Sequence, residues 1–508
     1  MNQSRIVNRL AYHAAHNANK TAIAMRNKRY TFKELFDKVE VLSSAIDVEC
    51  KEKPIVVFAN RDPDTLVFFL AVVFSGNFYV PVDPDMPVSK IKAIFEETRP
   101  PFAFFQDCNL KTIDQLREEG NLNSVFLDDK AKGDNSHNGE ISDSSPLYMV
   151  YTSGSTGKPK GVLKSHKAMV SFMETFSKTF LTDGDSDKII IGNQTPFFFD
   201  ASAKDIYLMI ENGATIEIIP SELFVIPPRL IAYLNEKSIS FISWVPTALS
   251  LVAQMKAFKY VKPECLRKVF FVGEVMPVKY LNYWIQNLPD VSFTNLYGQS
   301  EIAGIACYYP VNSIHDEDSM LPIGKPLSNC QVIIMEDGKA IKNVNRVGEI
   351  LISSPALANG YYMDDEKTKA AFIKYDNRIW FKTGDYAYRD ENEDLVFTAR
   401  QDSQIKHLGR RIELGEIEIA ASSIDCVERS CCLYDADHHR IVLFCQAKRQ
   451  KVMNESNESY GSIVRNYLKE KLAPYMIPEK IVIGIIPINA NGKIDRQKLR
   501  DLIIEDML

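Results

Sequence analysis

Residues 151–161 read YTSGSTGKPKG, which sets four serine and threonine hydroxyls, three glycines and two lysines within eleven positions. Glycines let main-chain N–H groups come close to a ligand because no Cβ stands in the way, and hydroxyls and ammonium groups add further donors. Such a density of donors suits an anion with many oxygens, a nucleotide triphosphate above all. A solvated turn is the plainer alternative. The phosphate loop of P-loop NTPases does not fit, because Gly157-Lys158 is followed by Pro159 and position 152 is Thr rather than Gly.

Elements on either side must hold this loop. Leu147 to Tyr151 is a short apolar run, and after Ser165, a candidate N-cap, Met169, Phe172, Met173, Phe176 and Phe180 recur at helical spacing. The loop is therefore expected to join a strand to a helix. Other apolar runs, Ile55 to Ala59 and Phe78 to Val82, alternate with helical stretches, which predicts layered α/β architecture. Polar segments 116–145 and 451–462 read as surface loops. Beyond residue 400 a helix-like LGEIEIAASSI, strand-like runs around Cys432 and Ile441 to Cys445, a helix near Val464 to Leu472 and a strand at Ile481 to Ile486 suggest a compact α+β unit. The expected architecture is a large N-terminal α/β domain of several subdomains, residues 1–399, and a small mobile C-terminal α+β domain, residues 400–508.

The chain has 508 residues, 45% of them apolar, enough for two or three cores. A formal charge of −6 gives no general attraction to nucleic acid or anionic membrane. Nine cysteines without a CxxC pair resemble the thiols of a reducing compartment, and no segment has the length and apolarity of a signal peptide or membrane span. A cytoplasmic location is expected. The eight histidines show no metal-ligand spacing.

The opening loop resembles the signature loop of the adenylate-forming (ANL) superfamily, which includes acyl-CoA synthetases, luciferases and amino-acid adenylation domains. The resemblance continues in GNFYVPVDPDMP (76–87), NLYGQSE (295–301), GEILI (348–352), NGYY (359–362), KTGDYAYRDENEDLVFTARQDSQIKHLGRRIELGEIE (382–418) and NANGKIDR (489–496). It implies that a carboxylate is joined to the α-phosphate of ATP with release of pyrophosphate, in the presence of Mg²⁺.

By the same resemblance, Thr152, Ser153, Gly154, Ser155, Thr156, Gly157, Lys158 and Lys160 hold the phosphates. Asn295, Tyr297 and Gly298 belong to the nucleotide site, with Tyr297 against the adenine, while Asp385 and Arg400 meet the ribose. Glu301 is the implied magnesium ligand, and Ser300 is implied to donate to the α-phosphate. Lys493 matches the lysine that bridges the two reacting anions, and Asp402 the hinge about which the small domain turns.

Asp200 in FFFDASAKD matches the aspartate that pairs with a substrate α-ammonium, which implies an amino acid; a structural Lys or Arg partner for Asp200 is the alternative. The implied pocket comprises Asp200, Ala201, Lys204, Ser243, Phe270, Val272, Leu296, Gly304 and Ile305. FFVGEVMPVKY and NLYGQSE look most like D-alanyl carrier protein ligases, although Val272 stands where those carry Cys and Lys204 where an apolar residue is usual. If Lys204 points inward, an acidic substrate side chain would neutralise it; otherwise its ammonium turns away. D-alanine and acidic amino acids are thus the first candidate substrates. Only fifteen residues follow Lys493 and none offers a phosphopantetheine serine motif, so a stand-alone ligase acting on a separate phosphopantetheinylated carrier protein is expected. An acyl-CoA synthetase, or a catalytically silent carrier-binding protein of the same fold, is the competing reading.

Overall fold

The computed structural model describes residues 4–46, 50–119, 124–131, 141–152, 159–181, 189–317, 319–400, 404–436, 438–448, 457–488 and 494–504. Its fold is mixed α/β with a large N-terminal and a small C-terminal part. In a seven-stranded sheet, Pro54–Phe58 and Phe78–Val82 pair in parallel and both are buried throughout. Val/Ile/Phe-rich runs of this kind suit a strand covered on both faces.

Pro146–Thr152 lies beside Phe78–Val82 and pairs antiparallel with Lys160–Ser165. The loop therefore joins two strands, and the helix His166–Phe180 begins only after the second of them. The strand KGVLKS was hidden from sequence reading because its two lysines interrupt the apolar pattern. Ser165 caps the helix by accepting from the Ala168 N–H at 3.3 Å, and Met169, Phe172, Met173 and Phe176 are buried on the expected face. Part of the segment read as loop, 116–145, is also ordered: Leu110–Glu119 is helical and Val125–Leu127 is a strand. The helix Asn457–Lys471 likewise begins inside the polar segment 451–462.

A nine-stranded sheet runs beside the first. Its strands Ile190–Asn193, Thr215–Ile218, Phe241–Trp244, Lys268–Val272 and Ser292–Tyr297 are parallel neighbours through shared ladders. In open α/β sheets ligands gather beyond the carboxyl ends of such strands. Gln194, Val245, Gly273 and Gly298, each just past one of these ends, all line one cavity.

The C-terminal part has its own core. Val427–Asp435, Arg440–Ala447 and Lys480–Ile483 form a three-stranded sheet, covered on one face by a cluster including Ile417, Leu443, Val464 and Leu468 and on the other by Cys431, Val442, Phe444 and Leu499. No buried residue of either cluster precedes Ile412. No helix among the described residues is long and apolar enough to cross a membrane.

Candidate active site

The strand Ser292–Tyr297 delivers Tyr297 to the cavity end of the large sheet, where its hydroxyl donates to Asp385 Oδ2 at 2.6 Å. Gln299 donates its amide N–H to the same oxygen and to the Thr383 carbonyl, the latter at 3.0 Å. Asp385 is buried, and Arg400 faces it across the strand ladder; the Arg400 side chain lies outside the described residues. Tyr297 carries the Lys406 ammonium 5.7 Å over its ring. Asn295 is held differently from its neighbours, donating to the Pro322 carbonyl at 2.8 Å.

Gly298 lines the cavity, and a Cβ there would stand 2.8 Å from the Gly304 carbonyl oxygen and 2.9 Å from Ile305 Cα. The two backbone segments can meet only without a side chain.

Thr152 and Ser300 both line the cavity, whereas Ser153, Gly154, Ser155, Thr156, Gly157 and Lys158 lie outside the described residues. Lys160 opens the next strand, with its ammonium 4.7 Å over the Tyr361 ring and 3.5 Å from Glu301 Oε1. Glu301 is wholly buried and accepts from the Tyr361 hydroxyl at 2.9 Å. No group of three or more His, Cys, Asp or Glu able to hold a metal occurs among the described residues. A single buried carboxylate such as Glu301 fits Mg²⁺, which is commonly held by one or two carboxylates together with water and substrate phosphates.

Asp200 begins the helix Asp200–Asn212 and lines the same cavity. Its Oδ1 accepts from the Tyr148 hydroxyl at 2.9 Å and from the ammonium of Lys164, a lysine with no solvent exposure at all. Asp200 thus has a structural cation. Burial pushes its carboxyl up and the Lys164 ammonium down, and each partner offsets part of the other's shift.

Ala201, Val272 and Gly304 line the cavity with Asp200; Lys204, Ser243, Phe270, Leu296 and Ile305, predicted to do so, do not. The physical reason is the aromatic filling under that face. Ser243 and Phe270 are register partners on adjacent strands, and Phe270 is packed by Phe241, Phe180 and Phe176 at ring separations of 4.9, 5.1 and 5.4 Å. Leu296 and Ile305 are buried in the same core. Lys204 is buried too, its ammonium paired with Asp205 rather than offered to a ligand.

Gly304, at φ +71°, brings its backbone so close to Phe172 that a Cβ would lie 2.2–2.4 Å from three ring carbons. Gly304→Ala is expected to cost about 2–4 kcal/mol, from overpacking and a left-handed conformation together. Urea denaturation measures it, and a midpoint equal to wild type would contradict this packing.

The small part reaches the cavity through the hairpin of Gln404–His407 and Arg410–Glu413, with Lys406, Leu408, Gly409, Arg410 and Tyr475 in its lining. Arg410 is sandwiched between Phe199 at 4.7 Å and Tyr475 at 4.2 Å. Glu274 accepts from the Gly409 N–H at 2.8 Å and from the Thr247 hydroxyl at 2.6 Å, and Lys90 pairs with Glu416. Lys493 and Asp402 lie outside the described residues. Of the positions flanking Lys493, Ile488 and Ile494 bridge each other and Arg496 grips Glu418 at 2.8 and 2.9 Å; none of the three lines the cavity.

Lys164, Tyr148, Arg410 and Tyr475 were missed by sequence reading. Lys164 left no signal, since its strand was not legible and a lysine there looks like surface until its partner is known.

Residues 10–362 match the family described as AMP-binding enzyme. A D-alanine--D-alanyl carrier protein ligase of Bacillus cytotoxicus is 30% identical over 499 residues, covering 96% of this chain and 97% of that protein. Among solved structures, the amide bond synthetase McbA from Marinactinospora thermotolerans superposes with a TM-score of 0.85 at 19% identity, covering 98% of this chain and 99% of that one. The Vibrio cholerae adenylation domain AlmE, in complex with glycyl-adenosine-5'-phosphate, gives 0.82 at 21%, covering 99% and 98%. With its strand-end cavity, its two-part fold and this coverage, the chain belongs to the AMP-binding enzyme family of the ANL superfamily and is an AMP-forming ligase.

Proposed function

We propose that the chain uses ATP to activate a small amino acid as its aminoacyl adenylate, releasing pyrophosphate, and transfers the acyl group to the phosphopantetheine thiol of a separate carrier protein. The observation that carries this reading is Asp200 in the lining of a cavity of about 400 Å³ at the carboxyl ends of the large sheet. Lys164 and Tyr148 both donate to Asp200 Oδ1, which leaves Oδ2 able to accept from a substrate ammonium. The named activity of the Bacillus relative supports D-alanine as first candidate and a carrier protein as acceptor. Acidic amino acids lose their support, since Lys204 is already neutralised by Asp205.

In this reading residues 1–399 and 400–508 are the two domains. Thr152, Lys160 and the loop between them would cradle the phosphates, Glu301 would hold Mg²⁺, and Asp385 would accept from the ribose hydroxyls. The bound ion would supply charge neutralisation on the triphosphate. Lys493 bridges the substrate carboxylate and the α-phosphate, reducing repulsion between two anions as they meet. The hairpin 404–413 lines the cavity, and in this reading the small domain turns about Asp402 to present either that hairpin or Lys493.

ATP–pyrophosphate exchange across D- and L-amino acids tests the proposal. D-alanine or glycine should support the fastest exchange, and holo carrier protein should then become acylated. Preference for a large apolar amino acid, or exchange with no amino acid whatever, would overturn it.

A further inference from the structure

Asp200 shares its charge before any substrate arrives. Lys164 and the Tyr148 hydroxyl both donate to Oδ1, while Oδ2 has no partner among the described residues and the side chain lines the cavity. Lys164 has no water contact, and its ammonium lies 5.2 Å over the Tyr148 ring, so Asp200 is its one anionic partner at ion-pair distance among the described residues. The pair is held on two elements, the strand Lys160–Ser165 and the first turn of Asp200–Asn212.

An unaccompanied buried carboxylate requires a cation from its ligand, because a neutral ligand would leave the charge uncompensated. Here the compensation is built in. The remaining oxygen needs only a hydrogen-bond donor, which a 2-hydroxy group supplies as well as a 2-ammonium group. A substrate ammonium, in turn, meets a pair of zero net charge instead of a free anion.

We propose that Lys164 is a specificity-determining residue which, by compensating Asp200, lets the pocket accept short 2-hydroxy acids such as lactate alongside small 2-amino acids. The inference rests on the adenylating function proposed above and extends its substrate class. The chemistry balances without further reactants: a lactate carboxylate oxygen forms the bond to the α-phosphorus, the bond from that phosphorus to the bridging oxygen breaks, and pyrophosphate leaves with its electron pair. Lys164 acts through Asp200 and is a positioning residue in this step.

The experiment is ATP–pyrophosphate exchange with D- and L-alanine and with D- and L-lactate, in wild type, Lys164→Leu and Lys164→Arg. A site that demands an ammonium rejects the analogue lacking it by about 10⁴–10⁵ in kcat/KM. Wild type is expected to prefer alanine over lactate by no more than about 10², and Lys164→Leu to widen that ratio by roughly another 10², because it costs lactate use far more than alanine use. Lys164→Arg should retain the wild-type ratio. A purely structural lysine would lower both substrates together and leave the ratio unmoved, which overturns the proposal. So does rejection of lactate by 10⁴ or more in wild type, a measurement that decides the matter even if Lys164→Leu does not fold. Should no amino acid support exchange, the proposed function itself fails; should alanine work and lactate be rejected, only this inference falls.

Discussion

Lys493→Ala is expected to lower pyrophosphate exchange by about 10²- to 10³-fold, the usual consequence of removing one preorganised donor from a charge-separating transition state. The reaction brings a carboxylate onto a phosphate that already carries charge, and at ~4 Å in a partly dry cleft such repulsion amounts to several kcal/mol. One ammonium placed between the two anions cancels much of it. The core of the small domain is built from other residues, among them Ile417, Leu443, Val464 and Leu468, so truncating one lysine side chain should leave that domain folded. The deficit should therefore be confined to adenylation. When a preformed aminoacyl adenylate is supplied, transfer to the carrier thiol should proceed at close to the wild-type rate. Near-normal exchange by the mutant would remove Lys493 from the chemistry.

Gly409→Val should give the opposite separation. Gly409 sits at φ +75° in the hairpin that faces the cavity, and a Cβ there would lie 2.2 Å from Val245 Cγ1 of the large domain. Its N–H is bound by Glu274 at 2.8 Å. A branched side chain cannot be accommodated without pushing the hairpin away, and misplacement by about 1 Å costs on the order of 10²-fold in a positioned reaction. Pyrophosphate exchange, which in the proposed mechanism uses Lys493 and not this hairpin, should change little. Carrier acylation from aminoacyl adenylate should fall by about that factor, and equal losses in both half-reactions would show that the variant merely damages the fold. Gly304→Ala is a useful contrast, since its clash with Phe172 lies inside the large domain and should affect stability first.

The two variants divide the site along the line between what local sequence announces and what packing decides. Glu301, Ser300, Thr152 and Asp200 stand in short motifs that resemble the family's; Ser300, Thr152 and Asp200 line the cavity, whereas Glu301 contacts Lys160 and Tyr361. The helix His166–Phe180 was legible from its apolar period and its Ser165 cap. The strand Lys160–Ser165 was not, because a lysine buried inside it looks like surface until its partner is known. The pocket positions illustrate the same point. Lys204 and Phe270 follow the family's alignment, but whether they touch a ligand depends on Phe176, Phe180 and Phe241 filling the space beneath. Those contacts join residues far apart in the chain, and nothing in the neighbourhood of residue 204 reveals them.

What the chain's order of residues determined alone is the reaction class, through ordered motifs that resemble those of the adenylate-forming superfamily along most of the chain. Only the tertiary structure decided how the acid is held, because charge compensation is a property of neighbours in space. It set Lys164 on Asp200 and Asp205 on Lys204, thirty-six and one residues apart respectively, and it turned the hairpin of the small domain toward the cavity. Burial makes each of those pairings matter, since a charge withdrawn from water must find its counter-charge in whatever the fold brings beside it.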